Sequence, residues 1–349
     1  MQAQGQPPQQ QLLTSIKQHD GAVWSVQWAH PRFGCIVGSC GYDGRINIYK
    51  EVQTGKFDII YTSIKPETSV NSISFAPHQC GLVLCAGRSD GTISVYARRD
   101  DSQWDEWTWL AHHTGVNAVS YASQPIYNAQ QSTQQPVHRS LKSDCKFVSG
   151  GCDNKLRIWK FDFTTNQWND STQFNTEQHH TDWIRDVQWS PSMGIPSNLI
   201  ASCSDDKSVC IWYEDTATQI WSKVKTITFN DKVWKLSWSV MGNILAVAQS
   251  DNIVTLWKEN STGEWINISS INDTGSQSIP SQSQPAHHQQ SIDTMSQHSD
   301  YNTPLLQQPM QSATPLYHQP PPQQPAMQQQ PYQQQQFQPQ QYNNRIPAQ

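Results

Sequence analysis

The sequence has little charge and no long apolar run. Of its 349 residues, 15% are Asp, Glu, Lys or Arg, and the formal net charge is −5. No cluster of Lys and Arg occurs, which argues against nucleic-acid binding. No apolar stretch approaches the ~20 residues that a membrane-spanning helix needs. The N-terminal residues are typical of neither a signal peptide nor a transit peptide, so we expect a cytosolic or nuclear protein.

Sequence motifs of enzymes and metal sites are also missing. The chain has no Gly-rich phosphate loop, no His-Glu-x-x-His and no Cys-x-x-Cys. Its eight Cys fall mostly in strand patterns, so we interpret them as small core residues in a reducing compartment rather than as a disulfide or zinc set. The adjacent pairs His179–His180 and His287–His288 lack further ligands nearby, and we expect no metal and no cofactor.

A repeated strand pattern is the strongest feature that is present, and residues 180–214 are its clearest copy. His180 opens this unit, and three short runs with alternating apolar residues follow, separated by two polar turns. Alternation with period two and enrichment in β-branched and aromatic residues predict strands. Three strands cannot bury both faces of their own sheet, so the unit requires copies of itself.

Four further copies follow the same spacing, an Asp with Trp or Tyr six positions later. The closing aromatics are 47, 63, 53 and 45 residues apart, and a Gln-rich insertion between Ser123 and Ser140 accounts for the longest gap. WD-type propeller repeats recur at roughly 40–45 residues. The five pairs are Asp43/Tyr49, Asp90/Tyr96, Asp153/Trp159, Asp206/Trp212 and Asp251/Trp257.

A second aromatic follows each pair after eight or nine residues and predicts a fourth, outer strand in every unit. These aromatics are Phe57, Trp104, Trp168, Trp221 and Trp265. The segment with Trp104, Trp107 and Trp109 could stack bases or bind peptides, but packing of an outer strand onto its blade explains it more simply. The pattern therefore predicts an all-β WD-repeat propeller with five visible blades.

The predicted propeller occupies residues 12–271. Its units cover about 19–60, 68–110, 113–175, 180–227 and 230–271. Residues 272–349 are rich in Gln and Pro and nearly uncharged, so we expect this tail and residues 1–11 to be disordered. The segment 12–16 precedes the first unit as an outer strand would, but the three strands it should pair with are missing from the sequence.

A His, a Ser and the turn Asp recur together in three of the five units. Ser, His and Asp can form a catalytic triad, but a catalytic set occurs once in a chain and this one repeats. We therefore interpret it as a buried relay in which the Asp, the His, the Ser and the closing aromatic are hydrogen-bonded in series. The sets are His19/Ser39/Asp43/Tyr49, His113/Ser149/Asp153/Trp159 and His180/Ser202/Asp206/Trp212.

Several segments resemble one particular WD-repeat family, the secretory-thirteen family. Its members are the small subunit of the outer COPII vesicle coat and a scaffold subunit of the nuclear pore. The resemblance covers about 12–271 and is carried by 23–31, 183–191, 200–204, 229–234, 243–247 and 254–259.

The resemblance implies a six-bladed propeller that does not close, with a further blade donated by a large helical partner. That partner is the secretory-thirty-one subunit in coats and a scaffold nucleoporin in pores. The implied role is a non-catalytic brace at the cytoplasmic face of the endoplasmic reticulum, on COPII vesicles and at the nuclear pore, peripheral to the membrane. The present sequence shows five units, and the family's first one is missing. We expect that an N-terminal blade is absent from this sequence, although a five-bladed propeller could also close unaided.

Other functions fit parts of the sequence. A pore-only propeller of the same complex is a close alternative, but the motifs at 229–259 favour the coat and pore subunit. A generic WD adaptor whose Gln/Pro tail recruits a partner is a second alternative. A propeller hydrolase is disfavoured by the repetition of the His, Ser and Asp set.

Overall fold

Five antiparallel sheets make up the structure, four with four consecutive strands and the last with five. This computed structural model describes residues 12–65, 67–123, 140–141, 145–177, 179–191, 198–272 and 277–278, which lie in one compact unit, 1–284. Residues 1–11 and 279–349 and most of the Gln-rich insertion lie outside the described residues, and of the tail predicted to be disordered, 272–349, only 272 and 277–278 are described. The predicted domain boundary after residue 271 therefore stays a prediction.

Each sheet is one blade, and its strands pair in chain order. Blade 1 contains β1 (Val23–Trp28), β2 (Ile36–Gly41), β3 (Arg45–Gln53) and β4 (Lys56–Ile64). Blade 2 contains β5 (Val70–Phe75), β6 (Val83–Arg88), β7 (Thr92–Arg98) and β8 (Trp104–Leu110). Blade 3 contains β9 (Val116–Tyr121), β10 (Lys146–Gly151), β11 (Leu156–Asp162) and β12 (Gln167–Asp170).

The last two blades follow the same order. Blade 4 contains β13 (Ile184–Trp189), β14 (Asn198–Ser204), β15 (Ser208–Glu214) and β16 (Trp221–Thr228). Blade 5 contains β17 (Val233–Trp238), β18 (Ile244–Gln249), β19 (Val254–Glu259) and β20 (Trp265–Ile271), and its outer edge also pairs with β21 (Gln277–Ser278). The prediction of five four-stranded blades is confirmed, and the fifth strand of blade 5 was not expected.

The turn that follows each second strand has the same conformation in all five blades. The residue after the turn Asp has a positive φ between 61° and 84°, the left-handed region that a tight hairpin requires. In blades 1 and 2 that residue is Gly, which adopts this region without steric cost. In the other blades it is Asn154, Lys207 and Asn252.

Neighbouring blades pack face to face through four apolar clusters. The clusters join blade 1 to 2, 2 to 3, 3 to 4 and 4 to 5, and in each case the first strand of one blade contacts the first strand of the next. The three Trp of β8 take part, because Trp107 and Trp109 pack on the cluster between blades 2 and 3 and Trp104 packs on Tyr61. The interpretation of these Trp as packing residues of an outer strand agrees with the contacts.

The N-terminal segment differs from its prediction. Residues 12–16 form no strand, and the side chains of Leu12 and Leu13 are exposed. A strand is stable only when another strand satisfies its backbone hydrogen bonds, and no strand of the described residues pairs with this segment. The segment instead leads to His19, and the carbonyl oxygen of Gln18 accepts a hydrogen bond from Arg45.

One pair of cysteines departs from the expected core role. Cys80 and Cys145 form a disulfide that links the first connection of blade 2 to the residue before β10 of blade 3. Four other cysteines are buried as expected, namely Cys40, Cys85, Cys203 and Cys210. None of the described residues forms a helix that is long and apolar enough to cross a membrane.

Candidate functional site

The His, Ser, Asp and Trp of blade 4 lie in one hydrogen-bonded series. His180 Nδ1 lies 2.9 Å from Asp206 Oδ2, and its Nε2 lies 2.8 Å from the hydroxyl oxygen of Ser202. That hydroxyl oxygen accepts the indole N–H of Trp212 at 3.0 Å. Asp206 also accepts the backbone N–H groups of Thr181 and Ser208, so it ties the loop before β13 to the hairpin before β15.

Blade 1 repeats this arrangement with a Tyr in place of the Trp. His19 Nδ1 lies 3.0 Å from Asp43 Oδ1, and Nε2 lies 2.7 Å from the Ser39 hydroxyl oxygen. The hydroxyl groups of Ser39 and Tyr49 are 3.5 Å apart, a longer contact than the corresponding one in blade 4. The backbone N–H of Asp20 donates to Asp43, as Thr181 does to the Asp of blade 4.

In blade 3 the participating histidine is His112, so the prediction of His113 was wrong. His112 Nδ1 lies 2.8 Å from Asp153 Oδ1, its Nε2 lies 2.8 Å from the Ser149 hydroxyl oxygen, and Ser149 accepts the indole N–H of Trp159. His113 is exposed. The spacing explains the difference, because the relay His stands four residues before the first residue of the first strand in all three blades.

The pKa values of the three relay carboxylates are all lowered. Burial alone would raise the pKa of Asp206, but hydrogen bonds and the charge of His180 outweigh it, and the pKa lies well below its ordinary value. The same balance lowers the pKa of Asp43 and of Asp153. Burial disfavours a charged His180, but hydrogen bonds to Asp206 and Cys210 raise its pKa to about 9. His180 is therefore a cation at neutral pH.

Blade 2 replaces the relay with an arginine that the sequence reading missed. Arg88 is fully buried, and its Nη2 donates to the Tyr96 hydroxyl at 2.9 Å. The turn Asp90 is instead bound by the ammonium of Lys65 at 2.6 Å. A charged residue inside an otherwise apolar strand pattern was the available signal, because buried charges require partners.

In blade 5 the polar series is shorter. Trp257 donates its indole N–H to the Thr255 hydroxyl at 2.9 Å, and Asp251 accepts the backbone N–H of Ile253. His179, the neighbour of the relay His of blade 4, accepts the backbone N–H of Leu156 at 2.8 Å. Within the described residues, no three His, Cys, Asp or Glu side chains are grouped so that they could hold a metal ion.

One face of blade 1 is exposed at positions that form the core elsewhere. In blade 4, Val187 and Trp189 of β13 are 0% and 5% exposed because they pack against blade 3. The equivalent residues of β1, Val26 and Trp28, are 59% and 64% exposed. We call this surface the blade 1 face, and it consists of the exposed Val23, Val26 and Trp28 and the partly buried Phe57.

Blade 5 also has a face that is partly exposed. Ala201, Cys203, Val209 and Ile211 of blade 4 are fully buried against blade 5. The equivalent positions of blade 5 are only half-buried, and this blade 5 face consists of Ala246, Ala248, Val254 and Leu256. No apolar cluster and no extensive strand packing joins blade 5 to blade 1 in the part of the chain that the structure describes. Among the described residues, neither face is therefore packed against a further blade.

The comparisons with known proteins agree with this architecture. Residues 26–124 match the WD40 repeated domain, and residues 171–213 and 221–258 match the WD domain, G-beta repeat. The Protein SEC13 homolog of Drosophila melanogaster is 39% identical over 277 residues, which cover 79% of this chain and 75% of that protein. The chain belongs to the SEC13 family.

Fungal members of the SEC13 family are similar over a shorter region. Protein transport protein SEC13 of Cryptococcus neoformans var. neoformans is 39% identical over 220 residues, and that of Mycosarcoma maydis is 36% identical over 235 residues. Both alignments cover 59% of this chain and about two thirds of the relative, 65% and 64% respectively.

Proposed function

We propose that this chain is a non-catalytic scaffold subunit in protein transport, a role suggested by the names of its fungal relatives. More specifically, we propose that it serves in the outer COPII coat and in the Y-shaped complex of the nuclear pore. It would then act at the cytoplasmic face of the endoplasmic reticulum, on COPII vesicles and at the pore. The partners would be a large helical coat subunit of the secretory-thirty-one type and a scaffold nucleoporin.

The observation that carries the proposal is the exposed blade 1 face. A propeller blade buries both of its faces against neighbours, and here an apolar face with Val26 and Trp28 has none among the described residues. A sheet donated by a partner would cover this face, and the strands of that sheet would satisfy one another's backbone hydrogen bonds. The half-buried blade 5 face would border the same donated sheet.

The burial of the relays supports a structural rather than a catalytic role. The hydroxyl of Ser202 is fully buried and accepts the indole N–H of Trp212, and Ser149 has the same environment in blade 3. A nucleophile must contact its substrate, and neither hydroxyl is exposed. The triads therefore fit the interior of a rigid brace better than an active site.

Affinity capture from cells followed by mass spectrometry tests the proposal. We expect the full chain to capture a long helical protein, and we expect Val26→Asp to abolish that capture because the donated sheet would have to bury an unpaired carboxylate. Val240→Asp is the matched control, since Val240 is 81% exposed in a turn of blade 5 and lies on neither face. Circular dichroism and the unfolding midpoint verify that both variants are folded.

Two outcomes would contradict the proposal. Capture of chromatin or ubiquitin-ligase components in place of a helical coat or pore subunit would favour the generic adaptor. Capture of the helical protein at equal yield by Val26→Asp and by the unmodified chain would mean that the blade 1 face is not its docking surface.

A further inference from the structure

A pocket of about 400 Å³ at the boundary of blades 1 and 2 is lined by three arginines and a histidine. Arg32 lies in the short 3₁₀ turn after β1, and His78 lies in the equivalent turn after β5. Arg98 is the last residue of β7, and Arg99 follows it. The volume falls within the ~300–1,000 Å³ that is typical of small-ligand pockets. Basic side chains from three connecting segments thus surround a space that can hold a ligand.

The guanidinium groups of Arg32 and Arg98 keep donors that the protein does not use. Each guanidinium carries several N–H donors. For Arg32, the backbone N–H has a partner, the ring of His30, but the side chain has none among the described residues. Arg98 donates to the hydroxyl of Ser102 at 3.0 Å. Most of the N–H groups of the two side chains are therefore available to a ligand.

Two buried polar atoms of the pocket residues also lack hydrogen-bond partners within the described part of the chain. One is the Nε of Arg99, although the carboxylates of Asp101 and Asp105 lie 3.5 and 3.6 Å from its guanidinium nitrogens. The other is the Oε1 of Gln79, whose amide can also turn to present its NH₂ group. Buried polar groups normally have partners, in the protein, in water or in a bound ligand. A ligand with several acceptor oxygens would supply them here.

The surroundings of His78 favour negative charge in this pocket. The ring of His78 lies 4.2 Å from that of His30, measured between centroids. Burial lowers the pKa of His78, and repulsion from His30 and Arg32 lowers it further. An anion bound beside these groups would reduce their mutual repulsion. The electrostatics of the pocket therefore agree with the free guanidinium donors.

An apolar part of the wall adds a second requirement. Phe33 is partly buried, and Ile36 and Leu82 are buried, and all three line the pocket. A bare ion would leave this wall in contact with water, whereas an apolar group attached to the anion would cover it. The ligand that fits both parts of the wall combines an oxyanion with an apolar body.

The carboxylates near the pocket argue against an extended anionic surface. Asp100 lines the pocket and is exposed, and the side chain of the adjacent Asp101 is 60% exposed. An anionic bilayer or a nucleic acid would approach these carboxylates and be repelled by them. A single phosphate group on a side chain can enter the pocket and contact the arginines instead. A phosphorylated protein therefore fits better than a membrane.

We propose that this pocket binds an aryl phosphomonoester, the group that a phosphorylated tyrosine of a partner protein presents. The phosphate oxygens accept charge-assisted hydrogen bonds from Arg32, Arg98 and Arg99, and the ring packs on Phe33. None of the residues of the blade 1 face lines this pocket. The contact is therefore separate from the donated sheet, and phosphorylation of the partner switches it on.

Isothermal titration calorimetry of the full chain with phenyl phosphate tests the proposal. We expect saturable binding at one site, and about tenfold weaker binding of inorganic phosphate, which lacks the ring. Arg32→Gln should weaken the binding of phenyl phosphate by about tenfold, because it removes hydrogen bonds to a charged group. Lys258→Gln is the matched control, since it removes the same charge from an exposed position at the end of β19, and it should leave the affinity unchanged. Unfolding midpoints verify that both variants are folded.

Three outcomes would overturn the proposal. The first is the absence of saturable binding, or equal affinity of Arg32→Gln and the unmodified chain for phenyl phosphate. The second is equal affinity for inorganic phosphate and phenyl phosphate, which would make the pocket a site for the ion alone. The third comes from phosphatidylcholine vesicles that contain about a tenth phosphatidylinositol phosphate. Binding to them that Arg32→Gln abolishes would assign the pocket to a lipid headgroup, and we expect no such binding.

Discussion

Trp189→Ala should lower the free energy of unfolding by about 3–5 kcal/mol, whereas Trp28→Ala should change it by less than about 0.5 kcal/mol. The two residues occupy the same position of the repeat, at the end of the first strand of their blades. Trp189 is 5% exposed and packs edge-on against Trp221 of its own blade. Trp28 is 64% exposed, and its ring contacts that of Phe57 at a centroid distance of 6.3 Å.

The reason for the difference is the neighbouring blade. Removing a buried indole loses the free energy of its transfer out of water and leaves a cavity. Removing an exposed indole has neither effect. Chemical denaturation of both variants, followed by circular dichroism, measures the two changes, and the unmodified chain is the reference. Equal destabilisation by the two substitutions would mean that the blade 1 face is covered within the chain itself.

Asp206→Ala should lower the free energy of unfolding by ~1–3 kcal/mol, because it leaves the buried His180 and two backbone N–H groups without an acceptor. Asp153→Ala should act similarly through His112. Asp251→Ala is the matched control. It removes the same turn residue from a blade without a relay His, where Asp251 binds the N–H of Ile253 alone among the described residues, and it should cost at most about 1 kcal/mol.

The cost of Asp206→Ala should also depend on pH. The folded pKa of Asp206 lies below its ordinary 3.8, so its contribution is present above about pH 4 and is lost as the pH falls. The folded pKa of His180 is about 9 against an ordinary 6.5, so its contribution is complete below pH 6.5 and is lost as the pH rises towards 9. The cost should therefore be largest between about pH 4 and 6.5. A cost that is independent of pH from 4 to 9 would mean that no such ion pair forms.

The repeat was readable from the sequence because each blade carries its own signals. A hairpin turn after Asp, a closing aromatic six residues later and an outer aromatic beyond it are local features. The corresponding strands are all present in the structure. Period-two alternation placed the strands, and the fixed distances between them placed the blades.

Features that depend on neighbours were harder to predict. The segment 12–16 has the residues of an outer strand, but a strand needs a partner that this chain does not supply among its described residues. The role of Arg88 was not predicted because it depends on Tyr96, eight residues away, and on the carbonyl of Gly44 in the preceding blade. The disulfide between Cys80 and Cys145 joins residues 65 positions apart, a separation that carries no local signal.

The wrong prediction of His113 in place of His112 has a simpler explanation. Both residues precede the same strand, and either could have opened the unit by composition. Counting four residues back from the first residue of β9, as for His19 before β1 and His180 before β13, selects His112. The information was present in the spacing of the other relays.

The central claim is that the blade 1 face is an unfilled docking surface, and hydroxyl-radical footprinting of the Trp side chains tests it most directly. The free chain should be oxidised readily at Trp28, and the complex with the helical partner should show at least a fivefold lower rate there. Trp183, which is 47% exposed and lies on neither face, should keep its rate and serves as the internal control. Slow oxidation of Trp28 in the free chain, or an unchanged rate in the complex, would contradict the account.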